Sequence, residues 1–204
     1  MMDTTRSTFA NVVRALGRAG LVATLVAAAI SVVRQRGERR EVIAGARPRA
    51  SAAAEVPARH DHGRLAGRIA SWQPARPATP AGRVAAAVWA SPMTAVGFVV
   101  AVSTRRAPEW DAQRGCFVLS GITGASRFAH RLIGADANTL GQIVLASTSA
   151  PSEALLDHEA MHARQAERLG ILMVPLYAWL GARYGYADNP FEVAARQAAR
   201  LTES

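Results

Sequence analysis

Lysine is missing from this chain of 204 residues, so every basic side chain is an arginine. Cysteine occurs once, as Cys116. A single cysteine excludes an intrachain disulfide and any zinc site built on paired thiolates. Aromatic residues make up 6% of a chain that is 50% hydrophobic. The apolar content is therefore mostly Ala, Val and Leu, which allows a core but not a rich one. The length suits one modest domain with extra segments. Acidic residues are scarce at the start. Residues 1–83 hold 14 Arg against 5 acids and residues 84–204 hold 10 against 10, so the whole net charge of +9 sits in the first part. Such an arm suits an anionic partner, lipid or nucleic acid. Arg and Ala enrichment without Lys is also what a GC-rich genome produces. Nucleic acid is the poorer fit, because the arm has almost no interleaved aromatics and no recognisable RNA- or DNA-binding motif.

Several segments follow from the pattern along the chain. Residues 19–33 (AGLVATLVAAAISVV) form an uncharged, Ala-rich run bounded by Arg18 and Arg34. It is short for a membrane span and reads as a marginal hydrophobic segment. Residues 34–83, rich in Arg, Ala, Pro and Gly, are expected to be disordered. His60 and His62 fall there, and two imidazoles in a flexible tract make a poor metal cage. Residues 84–104 carry no charge and match the thickness of a hydrocarbon core, with Pro92 expected to kink the helix. This is the expected transmembrane helix, and the alternative is a buried helix of a soluble domain. Arg83 stands before it and Arg105-Arg106 after it, so charge gives no clear orientation.

Residues 105–204 read as the folded domain. Cys116–Gly121 and Gly141–Ser147 are expected strands, with His130 between them as a surface histidine. Residues 149–169 read as a helix, capped by Ser149 or Ser152 with Pro151 in its first turn. The apolar stretch 169–182, broken by Pro175, is short for a span and suits a re-entrant or interfacial piece, or simply core. A last helix starts near Pro190.

One motif carries chemistry. His158 and His162 are four residues apart, so on a helix both imidazoles lie on one face and reach one ion. Glu159 is rotated about 100° from the first histidine and can reach a metal-activated water without ligating the metal. This is the HExxH arrangement, with the glutamate as general base. From this chain's own His and Glu frequencies, a chance match is about one in two hundred. The rival reading is an exposed helix face with two solvated histidines. A catalytic zinc needs a third protein ligand and an open position. Glu192, at the start of the last helix, is the best placed. Its rival reading is a capping box, with Asn189 as N-cap and Pro190 at the first helical position. Asp188, Glu167 and His130 are weaker alternatives. Gln165, seven residues after His158 on the same face, is expected either to orient a ligand or merely to face the next element, and Tyr184 or Tyr186 to stabilise an oxyanion or simply to pack. Residues 141–147 are the expected edge strand for an extended substrate.

The run HEAMHARQAERLGILMVPLYAWL followed by DNPFEVAAR resembles a group of small bacterial membrane-associated gluzincin metallopeptidases. The pattern maps onto His158, Glu159, His162, Gln165, Gly170, Pro175, Asn189, Pro190 and Glu192. Trp89–Thr94 resembles the Trp/Pro/Thr signature of that group's membrane segment, and Gly115–Leu119 and Thr139–Leu145 its two strands. The likeness covers roughly residues 84–200. Ala160-Met161 departs from it, standing where a bulkier aliphatic and a Gly or Val are commoner. The resemblance implies one Zn2+ per chain, Glu192 as third ligand, Gln165 and Asn189 in supporting positions, and a place at the bacterial cytoplasmic membrane. The expected fold is α+β: a minimal zincin-like domain of short strands, an HExxH helix and a C-terminal Glu helix, attached to one or two membrane helices. The expected function is hydrolysis of peptide bonds in a peptide or protein substrate. Two rivals are a non-catalytic metal-binding membrane protein and a membrane-tethered adaptor whose basic arm binds lipid or nucleic acid.

Overall fold

The computed structural model describes residues 63–201 except Gly134. The segment 19–33 and the pair His60 and His62 lie outside the described residues. The architecture is α+β: helices around a small mixed sheet.

The first described element is α1 (Arg64–Ala70), whose Ala66 and Ala70 are buried. Residues 63–83 were expected to belong to a disordered tract, and here the structure differs. Small apolar side chains let α1 pack on the last helix, Trp72 lies 6.5 Å from the Phe191 ring, and the Arg76 guanidinium donates to the Ala112 carbonyl at 3.1 Å. Helix α2 follows at Pro80–Ser103. Thr79 caps it, its hydroxyl accepting from the Gly82 amide at 3.1 Å, and Pro80 takes the first position, where its missing N–H costs nothing. Inside the helix Pro92 leaves the Val88 carbonyl without its usual donor. The Ser91 hydroxyl supplies one at 2.7 Å, and the helix runs through.

Strands β1 (Glu109–Asp111), β2 (Cys116–Leu119), β3 (Ala137–Leu140) and β4 (Ile143–Ala146) form one sheet in the order β1-β2-β4-β3. β2 and β4 run parallel, Val118 facing Val144, while the two outer pairs are antiparallel. The connection from β2 carries α3 (Gly124–Ile133). The β3–β4 turn is two residues long, with Gly141 at φ +62°. That conformation suits glycine, and an added Cβ would stand 2.5 Å from the Thr94 backbone nitrogen of α2. The segment Gly141–Ser147 was expected at an edge. It is instead the interior strand β4, and all four β4 residues are buried because helices cover both faces. Alternation sorts them: Ile143 and Leu145 cluster with Ala101 of α2, and Val144 clusters with Leu156, Ala160 and Ala163 of the next helix.

That helix, α4 (Glu153–Leu169), is capped by Ser152, whose hydroxyl accepts from the Leu155 amide. Pro151 therefore precedes the helix instead of sitting in its first turn. Arg114, in the β1–β2 turn, donates to Asp111, Glu153 and Asp157 at 2.8, 2.6 and 2.7 Å, clamping the start of α4 against the sheet. A 3-10 turn (Gly170–Leu172) leads into α5 (Met173–Tyr184). Pro175 does not break this apolar stretch, because it falls in the first turn of α5, where a proline is tolerated. Helix α6 (Pro190–Leu201) packs back along α4.

Candidate metal centre

Three donor residues meet between α4 and α6. His158 and His162 project from one face of α4, their rings 4.9 Å apart and nearly perpendicular. Glu192 comes from the first turn of α6. His158 Nε2 lies 3.3 Å from Glu192 Oε2, and His162 Nε2 lies 3.3 Å from Glu192 Oε1. One ligand atom from each residue falls within 4.8 Å of the others. His162 Nε2 and Glu192 Oε2 are buried and make no hydrogen bond. Those separations are long for hydrogen bonds between a ring nitrogen and a carboxylate. They are close enough for one ion to lie between the nitrogens and the carboxylate, since ligands bound at about 2.0–2.1 Å stand about 3.3–3.4 Å apart. Two imidazoles and a carboxylate that converge here, with His162 Nε2 and Glu192 Oε2 buried and unpaired, form a donor set that could hold a metal ion such as zinc. Asp188, Glu167 and His130 fall outside this cluster.

The capping-box alternative for Glu192 is not the geometry seen. The Asn189 amide donates to the Tyr186 carbonyl, and the Glu192 carboxylate turns to the histidines. Asn189 does cap α6, its Oδ1 accepting from the Phe191 amide at 3.2 Å. Its Nδ2 donates to the Tyr177 carbonyl at 3.3 Å and so ties α6 to α5. Gln165 is fully buried with Oε1 at 2.9 Å from His162 Nδ1. A carboxamide oxygen only accepts, so the neutral His162 ring carries its proton on Nδ1 and leaves Nε2 for an ion.

Electrostatics agree with this grouping. Burial opposes a charge on His162, but the Glu192 carboxylate outweighs it, and the imidazole is pushed up to about 9. Burial likewise works against the Glu192 carboxylate, and His162 and His158 outweigh it, holding its pKa well below the usual carboxylate range. The cluster favours a cation facing the carboxylate.

Glu159 stands beside the first histidine and is 5% exposed. The Thr139 hydroxyl, on edge strand β3, donates to Glu159 Oε2 at 2.6 Å. Sequence reasoning missed Thr139 and also Tyr177, whose hydroxyl donates to Glu192 Oε1 at 2.6 Å. Tyr177 is the polar tip within the apolar stretch 169–182, and that isolated hydroxyl was the available signal. Arg196 was passed over too; its guanidinium lies 3.9 Å from Glu192 Oε2, one helical turn on, and also donates to the Ala187 carbonyl. Of the tyrosines singled out earlier, Tyr184 packs its ring under the Arg183 guanidinium at 5.5 Å. His130, expected at the surface, is buried on α3 with Nδ1 at 3.0 Å from the Ser147 hydroxyl. Cys116 is buried between sheet and α4, and burial pushes its thiol up to about 12, which makes it a core residue and not a nucleophile.

Glu167, the third-ligand alternative on α4 itself, is engaged elsewhere, accepting from Gln142 Nε2 at 2.6 Å. Comparison of the chain with family models, with curated proteins and with solved structures returns no match, so the site's own geometry carries the functional reading.

Proposed function

We propose that the protein is a membrane-associated zinc metallopeptidase of the gluzincin type, with His158, His162 and Glu192 as ligands and Glu159 as general base. The observation that carries the reading is the convergence of two Nε2 atoms on the two oxygens of one buried carboxylate, each at 3.3 Å. A zinc ion held there supplies Lewis-acid polarisation of a carbonyl and brings the pKa of water towards about 7. The chain's own groups do the rest. Glu159 Oε2 is fixed by Thr139, which leaves Oε1 to take a proton from the attacking water and pass it to the leaving amine. Gln165 keeps the His162 ring in register, and Tyr177 restrains Glu192. Strand β3 ends the sheet beside α4, so an extended peptide can add to its open edge and run past Glu159. Membrane association rests on α2, the one helix among the described residues long and apolar enough to cross a bilayer, most of it unburied.

A second reading, a metal site without catalysis, is favoured by the burial of Glu159. One experiment separates the two. Metal content is measured by mass spectrometry on the full chain in detergent, beside cleavage of an unfolded protein substrate. The expected result is one zinc per chain, lost in His162→Ala and Glu192→Ala. Glu159→Gln should keep the zinc and lose at least about a hundredfold in cleavage. Full cleavage by Glu159→Gln would remove it as base. A well-folded, zinc-supplied wild type without metal would end the peptidase reading.

A further inference from the structure

Helix α2 has two faces with different surroundings. Ala86, Ala90, Thr94, Gly97 and Ala101 are buried, a stripe of small residues at helical spacing that runs about 22 Å along the axis. The sheet and α4 pack on that stripe. The opposite face is apolar and open: Val99 and Val102 are 72% and 75% exposed, and Val84, Val88 and Val96 share the same side. The open surface continues past Trp89, whose indole meets Gly170, onto Ile171 and Leu172. Exposed apolar area on this scale marks a partner.

Charge says which partner. Between residues 62 and 108 there is no acidic residue, and Arg64, Arg68, Arg76, Arg83, Arg105 and Arg106 fall in that stretch. Arg83 and Arg105-Arg106 sit at opposite ends of α2. An anionic lipid surface complements an apolar face with basic ends.

The packing says how α2 meets that surface. Near the helix middle, the Trp89 indole donates to the Arg168 carbonyl at 3.3 Å and the Thr94 hydroxyl accepts from the Gln142 amide at 3.1 Å. Gln142 in turn donates to the buried carboxylate of Glu167 at 2.6 Å. If α2 crossed the bilayer, these groups, Arg168 and the open edge of β3 would be drawn to hydrocarbon depth. Exposed backbone and charge are costly there. If α2 lies flat, they stay on the water side and both basic ends reach headgroups of one leaflet.

We propose that α2 is a monotopic anchor, lying in the plane of an anionic bilayer with its valine face among the acyl chains and the metal centre held above. This deepens the membrane half of the function proposed above and does not depend on the metal. The test uses the full chain. Flotation with vesicles of phosphatidylcholine, with and without phosphatidylglycerol, is compared for wild type and Val88→Glu/Val99→Glu. Separately, Ala81→Cys and Ala107→Cys are labelled with a membrane-impermeant maleimide in spheroplasts and in inverted vesicles; buried Cys116 gives little background. The expected result is binding strengthened by phosphatidylglycerol, reduced at least about tenfold in the double variant, and both cysteines labelled in the same preparation. Labelling from opposite sides would establish a span and overturn the proposal. So would a double variant that still floats, since the basic arm would then carry binding, or a wild type that ignores vesicles, alone or as a dimer. Circular dichroism checks the variant's fold, and if it misfolds the labelling pattern decides. Zinc content of the same preparations reads the metal centre independently.

Discussion

Replacing Gln165 by Met tests the proposed metal centre without touching a proposed ligand. The residue is fully buried, and Met matches its length and helix preference. What disappears is the acceptor 2.9 Å from His162 Nδ1 and the weaker donation from Gln165 Nε2 to the Phe191 carbonyl at 3.5 Å. Removing a group that orients a ligating histidine lowers metal affinity about 10- to 100-fold. That corresponds to about 1.4–2.8 kcal/mol. The stranded Nδ1–H adds a desolvation cost of about 1–3 kcal/mol to the fold itself. A competitive titration against a chromophoric zinc chelator reads the first quantity, and thermal unfolding in detergent reads the second. Gln165→Glu, which restores an acceptor, should recover most of the affinity. If Gln165→Met binds zinc as tightly as wild type within a factor of about two, the Nδ1 contact does not organise the site and the ligand assignment of His162 is in doubt.

Zinc affinity should rise with pH. His162 in the metal-free site is pushed up to about 9, so a proton competes with the ion below that value. Apparent affinity should climb about tenfold per pH unit from pH 7 towards 9 and then level; a flat profile in the same chelator titration refutes the coupling. In metal-free protein the same raised pKa stabilises the fold fully below the unfolded value of 6.5, and that contribution is lost as pH rises through about 9. Glu192, held low, works the other way: its contribution is present above 4.5 and lost as pH falls through its depressed value. Gly141→Ala tests the docking of the sheet on α2. A methyl group at φ +62° would collide with Thr94 backbone, which cannot yield like a flexible side chain. Strain of about 1–2 kcal/mol from the backbone alone should lower the melting temperature by about 2–8 °C, and the collision should add to that; an unchanged value would show that the turn does not seat there.

Legibility in the sequence followed how local each signal was. The HExxH helix and the α6 start were readable because spacing on one helix fixes which side chains share a face. Glu192 could not be separated from a capping residue in the sequence, since both roles want an acid in the first turn; only the convergence of α4 and α6 distinguishes them. Strand order is a long-range property. The apolar content of Ile143–Ala146 suited either a half-covered edge or a strand covered on both faces, and the second proved right. His130 misled because its Arg-flanked setting looked solvated while its own ring turns into the fold. Helix α1 hides in an Ala- and Arg-rich tract, where two small buried alanines are enough to dock a short helix on α6. Thr139 and Tyr177 carry no motif. Their roles exist only because β3 and α5 pass the site.

Asn189 changes what the distance along the chain between the proposed ligands means. With one end of its carboxamide on the Phe191 amide and the other on the Tyr177 carbonyl, it welds the start of α6 to the middle of α5. Glu192 is thus positioned from three residues away, not by the run of roughly thirty residues that separates it from His162. The turn at 185–188 could then lengthen or shorten while Glu192 keeps its place against the two histidines. A search pattern that fixes the spacing between HExxH and NPFE would therefore reject chains with the same arrangement and a different turn length.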